Sequence, residues 1–170
     1  MMRQIVLDTE TTGLSPTNGH RIIELACAEM IDHQLTGSRF HAYVNPERDI
    51  EPGAQQVHGI DAAFLSDKPR FAGIAGEFIN FITGAELVIH NAPFNVGFLT
   101  HELTLAGLPQ LDSVCTGIFD TLQFARGKFP GQKNSIDALC GRYQIDYLHR
   151  TLHGALLDAE LLAEIYLKMV

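Results

Sequence analysis

The sequence predicts one α/β domain over residues 1–170, a mixed five-stranded sheet flanked by helices. Three observations point there. The first 44 residues carry three extended segments separated by turn signals. From Phe71 the apolar period lengthens to three or four residues, the mark of amphipathic helices. Short apolar runs at Leu87-Val88-Ile89 and over 117–120 then fall between helical stretches, as parallel strands joined by crossover helices do.

Taken in order, Gln4–Asp8 reads as a buried strand. Arg21–Met30, rich in Ile, Leu and Ala, reads as a second, and Phe40, Ala42 and Val44 alternate as a third. Ser15-Pro16-Thr17-Asn18-Gly19 and Gln34–Gly37 supply the turns between them. Pro46, Pro52, Gly53, Gly59 and Pro69 make residues 45–69 mostly loop. Phe71, Ile74, Ala75, Phe78, Ile79 and Ile82 then mark a helix. Another runs through Phe98, Leu99, Glu102 and Leu105 to Gly107-Leu108-Pro109, and a third follows residue 120 to about Phe129. Ser135 is a good N-cap for a helix over Ile136–Tyr143, and Gly154–Met169 reads as a long terminal helix. A strand meander followed by α-β-α-β-α-α is compatible with the ribonuclease H-like architecture.

Composition narrows the class. With 46% apolar residues the chain can fill a core, and no stretch approaches the ~20 apolar residues of a membrane span. Asp8 and Glu10 interrupt the first apolar run, so no signal peptide is expected. Cys27, Cys115 and Cys140 are too far apart for a zinc knuckle or CxxC pair, and read as buried free thiols of a reducing cytoplasm. The net charge of −8 is unusual for a nucleic-acid binder, but carboxylates that hold cations invert the local field. Charge is also uneven. Residues 126–150 hold Arg126, Lys128, Lys133, Arg142 and Arg150 against Asp137 and Asp146 alone, either as a solvated helix face or as phosphate contacts.

The chemistry sits in three places. Asp8 and Glu10 are two apart on a strand, hence on one face and about 7 Å apart along it, where they could grip a hard cation or simply face solvent. Oxygen ligation suits Mg²⁺ or Mn²⁺ better than zinc. Thr11-Thr12-Gly13 would let backbone approach a substrate. Asp158 lies among Ala155, Leu156, Leu157, Ala159, Leu161 and Leu162; a carboxylate there must find an ion or a donor, or lie on an exposed stripe. His153 can exchange a proton near neutrality. Two divalent cations about 4 Å apart would suit phosphodiester hydrolysis.

Ile5-Val6-Leu7-Asp8-Thr9-Glu10-Thr11-Thr12-Gly13, Val57-His58-Gly59-Ile60, Glu86-Leu87-Val88-Ile89-His90-Asn91-Ala92, Phe129-Pro130-Gly131 with Asn134-Ser135, and Thr151-Leu152-His153-Gly154-Ala155-Leu156-Leu157-Asp158-Ala159 carry a resemblance over nearly the whole chain. It resembles the proofreading exonuclease domains of the epsilon subunits of bacterial DNA polymerase III, within the DEDDh exonucleases. The resemblance implies a metal-dependent 3′→5′ exonuclease that hydrolyses DNA 3′ ends, single-stranded or frayed. It makes Asp8, Glu10 and Asp158 ligands of two Mg²⁺ or Mn²⁺ ions, and His153 the general base. It lines the pocket for the 3′-terminal nucleotide with Thr11, Thr12, Leu14, His58, Asn91 and Phe94. It also implies a polymerase catalytic subunit as partner, through a C-terminal segment that this chain, ending at Val170, is expected to lack.

One position departs from the pattern. Where the family has a fourth carboxylate, this chain has Asn95. An amide keeps the shape and one acceptor but loses the charge, so the second cation should bind more weakly and turnover should fall. Asp112 and Asp120 are the nearby acids, and the sequence does not place either in the site. Two other readings stay open: a module that holds 3′ ends or a polymerase without cutting, and a 3′ exonuclease of small RNAs.

Overall fold

The computed structural model describes residues 1–147 and 154–170. Its sheet has the order β3-β2-β1-β4-β5, with β1 Arg3–Thr11, β2 Ile22–Ile31, β3 Gln34–Tyr43, β4 Glu86–Ile89 and β5 Gly117–Asp120. β1, β2 and β3 form the antiparallel meander, while β4 and β5 join β1 in parallel. The mixed five-stranded sheet is the one expected, and the parallel part puts the C-terminal ends of β1, β4 and β5 along one edge.

Strand alternation sends neighbouring side chains to opposite layers. Ile5, Leu7, Leu25, Cys27, Leu87 and Ile89 pack against α3 (Phe71–Ile82) and α4 (Ala92–Ala106). Val6, Ala26, Met30 and Val88 pack against Ala155, Ala159, Leu162, Ala163 and Tyr166 of α8 (Ala155–Met169). Both faces are therefore apolar, and between Gln4 and Asp8 β1 carries no polar residue. A third cluster joins α6 (Thr121–Lys128) and α7 (Ile136–Arg142) to the outer side of α8 through Ala125, Leu139, Cys140, Leu161 and Ile165. Phe71, Phe78 and Phe98 are fully buried, each stabilising by about 2–3 kcal/mol relative to exposure.

The helices expected around Phe71–Ile82, Phe98, 121–129, Ile136 and Gly154 are present, and Ser135 caps α7 by accepting from the Ala138 N–H. Three expectations need correction. Residues 45–69 are not mostly loop, because α1 (Pro52–His58) and α2 (Ala62–Leu65) lie there. Pro52 occupies the first turn of α1 and Gly59 its left-handed C-cap at φ 71°, so residues read as breakers are the ends of a helix. Gln34–Gly37 is not a turn but the start of β3. The reversal is made by Asp32 and His33, both at positive φ (50° and 64°), the geometry of a two-residue type I′ hairpin. The short α5 (Leu111–Val114) had no periodic signal. Cys27 and Cys140 are buried as expected, whereas Cys115 is half-buried; burial pushes both the Cys27 thiol and that of Cys115 up, the latter to about 11.

Candidate active site

β1 runs three residues further than the sequence suggested, to Thr11, and so carries both acids within the strand. Asp8 and Glu10 project on the Val6 side, toward α8. Asp158 is one turn into α8 and 3% exposed. Ligand oxygens of Asp8, Glu10 and Asp158 all lie within 4.8 Å of one another. An Mg²⁺ ion with oxygens at about 2.1 Å separates opposite ligands by about 4.2 Å, within the swing of a carboxylate from this arrangement. Three hard oxygen donors thus fit a divalent cation. Like charges this close, one buried and two half-buried, would otherwise oppose one another.

Glu24, absent from the sequence reading, organises the helix that brings Asp158 here. It is 2% exposed and stands opposite Glu10 across the β1–β2 pair. Its Oε1 accepts the N–H of Ala155, the first residue of α8, at 2.9 Å, and its Oε2 accepts from His41 Nε2 at 2.6 Å. A carboxylate at a helix N-terminus satisfies an otherwise orphaned donor and favours the helix dipole. Burial, and then the charge of Glu24, push the Tyr43 hydroxyl up. The available signal was a Glu inside the apolar run Ile22–Ala28, a position that demands a partner.

A cavity of about 350 Å³ opens beside Glu10. Thr9, Glu10, Thr11, Gly13, Leu14, Val57, His58 and Phe94 line it, together with Glu51, Gly53 and Ala54. The turn after β1 is tightly held. Thr11 donates its hydroxyl to Gly13 O at 2.6 Å, and the Thr12 N–H donates to Arg21 O at 2.9 Å. A Cβ on Gly13 would come within 2.4 Å of the His20 ring, so only glycine fits. His58 closes the opposite wall. Its Nδ1 accepts from the Ile60 N–H at 3.0 Å and its Nε2 donates to Thr11 O at 3.1 Å, which fixes the tautomer and uses both nitrogens. Burial holds its pKa below the usual histidine value, against the raising effect of the Thr11 carbonyl. Phe94 is half-buried, 5.1 Å from the Phe98 ring centroid, and offers one face to the cavity.

Two residues expected in the nucleotide pocket, Thr12 and Asn91, lie outside the cavity lining. Thr12 is fully buried and bonds His20 Nδ1 at 2.9 Å and the Arg21 N–H at 3.0 Å, so it supports the turn and lies outside the cavity lining. Asn91 opens α4 at φ 66° and lines a separate groove, with Leu122 and Asn134. Asn95 is 3% exposed and donates its amide N–H to Thr9 Oγ1 at 2.9 Å, reaching the residue between Asp8 and Glu10. His153 lies outside the described residues. Asp120 does not replace the missing carboxylate. It accepts the Leu122 and Gln123 N–H groups of α6 and those of Asn91 and Ala92, tying the starts of two helices together. Asp112 sits in the first turn of α5.

The exonuclease family model matches residues 5–166, which include every element of the carboxylate cluster. The chain belongs to the exonuclease family. Within that family it is similar to the DNA polymerase III epsilon subunits. It is 53% identical over 173 residues to the subunit of Escherichia coli, covering 98% of this chain and 71% of that protein. The subunit of Rickettsia typhi is 52% identical over 169 residues, covering 99% and 74%. Exonuclease X, solved in complex with 5′-overhanging duplex DNA, superposes with a TM-score of 0.74 at 27% identity, over 98% of this exonuclease chain and 90% of that one. E. coli exonuclease I, solved with a dT13 oligonucleotide, shares the fold, with a TM-score of 0.83 at 16% identity over 99% of this chain and 41% of that one. Among the described residues of this exonuclease, no helix is long and apolar enough to cross a membrane.

Proposed function

We propose that the chain is a metal-dependent 3′→5′ exonuclease that removes nucleotides from single-stranded or frayed DNA ends, as a replication proofreader of the epsilon type. The observation that carries this reading is the meeting of Asp8, Glu10 and Asp158 at the rim of a cavity of nucleotide size. Asp8, Glu10 and Asp158 would hold one divalent cation, Mg²⁺ or Mn²⁺, with Asp8 shared by a second. Bound there, the cations would supply charge neutralisation for the scissile phosphate and its leaving oxygen, and lower the pKa of the attacking water.

The chain's own groups do the rest. The Phe94 face and the Thr11–Leu14 turn take the terminal nucleotide by stacking and backbone contact, which tolerates any base. His58 shapes that pocket through its ring and its grip on Thr11 rather than by bonding the substrate. His153, two residues before α8 in sequence, is assigned the general base by its place in the motif. Asn95 would leave the second cation short of one negative ligand. The epsilon relatives support a polymerase III catalytic subunit as partner and the cytoplasm as location.

A gel assay with 5′-labelled DNA and RNA oligonucleotides, with and without Mn²⁺, tests this reading. Shortening of DNA from the 3′ end only when metal is present supports it. Preferential RNA degradation favours a small-RNA nuclease, and binding without shortening in either metal favours a non-catalytic module.

A further inference from the structure

The sheet edge that carries the carboxylates continues into a second groove, of about 480 Å³, which the proposed chemistry does not use. Its walls include His90, Asn91, Arg126, Lys133, Asn134 and Ser135. Register fixes its position. Val6 of β1 pairs with Val88 of β4, and Ile89 pairs with Asp120 of β5. Carried two residues further, that register sets His90, just past the end of β4, level with Asp8, which is still within β1, and Thr121, just past β5, next in line. Strands are about 4.8 Å apart, so the groove begins about one strand spacing from Asp8. The nucleotide cavity is lined instead by the end of β1, the turn after it, α1 and Phe94. The carboxylates stand between the two.

Charge gives the groove its ligand class. The chain has 20 acids and 12 bases, and among the described residues five of the twelve pair with an acid: Arg3 with Glu29, Arg21 with Glu102, Arg39 with Glu160, Lys68 with Asp67 and Arg70 with Glu47. Arg126 and Lys133 are exposed, and among the described residues neither has a carboxylate partner. The loop that presents Lys133 is held firmly. His90 Nε2 donates to Asn134 O at 2.8 Å, and Arg142 donates to Asn134 Oδ1 at 2.9 Å and to Lys133 O at 2.7 Å while stacking on Phe129. Two unpaired cations on a braced wall, in an acidic protein, form a local anion site.

We propose that this groove holds the phosphodiester backbone of the substrate strand on the 5′ side of the bond to be cut, with Arg126 and Lys133 as its phosphate ligands. The assignment rests on the exonuclease reading, which places the 3′-terminal nucleotide in the cavity and the scissile phosphate at the carboxylates. The strand then leaves toward β4 and β5 and meets the groove within a nucleotide or two. Such contacts position the strand without reading its sequence.

The test uses the 170-residue chain and its Arg126→Ala/Lys133→Ala variant, both sites being exposed and outside the core. Affinities are measured by fluorescence anisotropy for 5′-labelled dT2 and dT8, each with a phosphorothioate at the 3′-terminal linkage to slow cleavage. The dT2 probe has no phosphate beyond the scissile one. The variant is expected to bind dT8 about tenfold more weakly, with a salt slope smaller by about 1.4 for two lost contacts on a single strand, and to bind dT2 as before. Arg39→Ala, on the far edge strand, should change neither. Equal weakening of dT2 and dT8, or unchanged dT8 binding by a variant whose parent trims oligonucleotides, overturns the groove assignment alone. A parent chain that neither binds nor trims dT8 overturns the exonuclease reading and the groove with it.

Discussion

Glu24 and Ala155 join the meander to the last helix: the Glu24 carboxylate accepts the Ala155 N–H at 2.9 Å, 131 residues apart in sequence. Asp158 follows one turn later, so the same contact sets how far that acid reaches toward Asp8 and Glu10. Glu24→Ala should leave the Ala155 donor and His41 without their acceptor and cost about 2 kcal/mol. It should also weaken Mn²⁺ binding, while Glu24→Gln, which still accepts from Ala155, should retain more of both. Urea denaturation with calorimetric Mn²⁺ titration measures the pair. Unchanged Mn²⁺ affinity in a folded Glu24→Ala protein would show that Asp158 is positioned without this cap.

Arg21 and Glu102 brace the start of β2 against α4. Arg21 donates from Nη2 to Oε1 at 2.6 Å and from Nε to both oxygens at 3.0 Å, and the Ile22 N–H donates to Oε2 at 3.0 Å. Hydrogen bonding to Glu102 raises the Arg21 pKa despite its desolvation. Glu102 is 1% exposed, so Glu102→Ala should leave a partly buried guanidinium and a buried N–H without partners, a loss of roughly 3 kcal/mol. Chemical denaturation checks it, and a loss below about 1 kcal/mol would mean that water replaces the carboxylate.

Gly13→Ala should push the His20 ring, 2.4 Å from the added Cβ, out of its contact with Thr12 and Glu51. Overpacking of this kind costs roughly 1–3 kcal/mol. Because the displaced turn walls the cavity, thymidine monophosphate should bind several-fold more weakly while Mn²⁺ binding persists. Nucleotide and metal titrations compared on one preparation distinguish this from general unfolding.

His58 makes the pocket wall sensitive to acid. Burial lowers its pKa in the folded state, so protons bind the unfolded chain more readily. Its contribution is complete above the ordinary histidine pKa of about 6.5 and is lost as pH falls through the lower folded value. A protonated ring could no longer accept from Ile60. The melting temperature should therefore fall more steeply below pH 6.5 in the parent than in His58→Gln. Parallel slopes would assign the acid sensitivity to other groups.

The sheet and the carboxylates were legible because their signals are local. A period of two around Asp8 and Glu10 puts both on one face, and an acid among leucines at Asp158 has few ways to be stable. What escaped depends on contacts distant in sequence. Glu24 matters through Ala155, and Thr12 is buried because His20 and Arg21 turn back onto it. The 45–69 segment was misread for a different reason: proline and glycine mark helix ends as well as loops, and composition does not separate the two.

Asn95 offers the sharpest comparison. Its amide donates to the Thr9 hydroxyl at 2.9 Å, so the side chain is spent on the strand residue between Asp8 and Glu10. A carboxylate at this position would have no proton to give, and Thr9 would have to rotate its hydroxyl and donate instead. That reversal would fix a negative oxygen at the end of β1. Asn95→Asp should therefore raise turnover on a DNA oligonucleotide at least about tenfold, equivalent to about 1.4 kcal/mol of barrier. Binding of a nucleoside monophosphate should change far less, because Asn95 does not line the cavity. In the parent chain Mn²⁺ should support more activity than Mg²⁺, being higher in the divalent affinity order, and the Asp variant should narrow that gap. Thr9→Val in the Asp background should remove part of the gain, since the carboxylate loses its donor. The measurement is steady-state turnover in both metals for the parent, Asn95→Asp, and Thr9→Val/Asn95→Asp chains. Equal rates for parent and Asn95→Asp in Mg²⁺ would remove position 95 from the cation machinery and leave it one task, holding Thr9 in place.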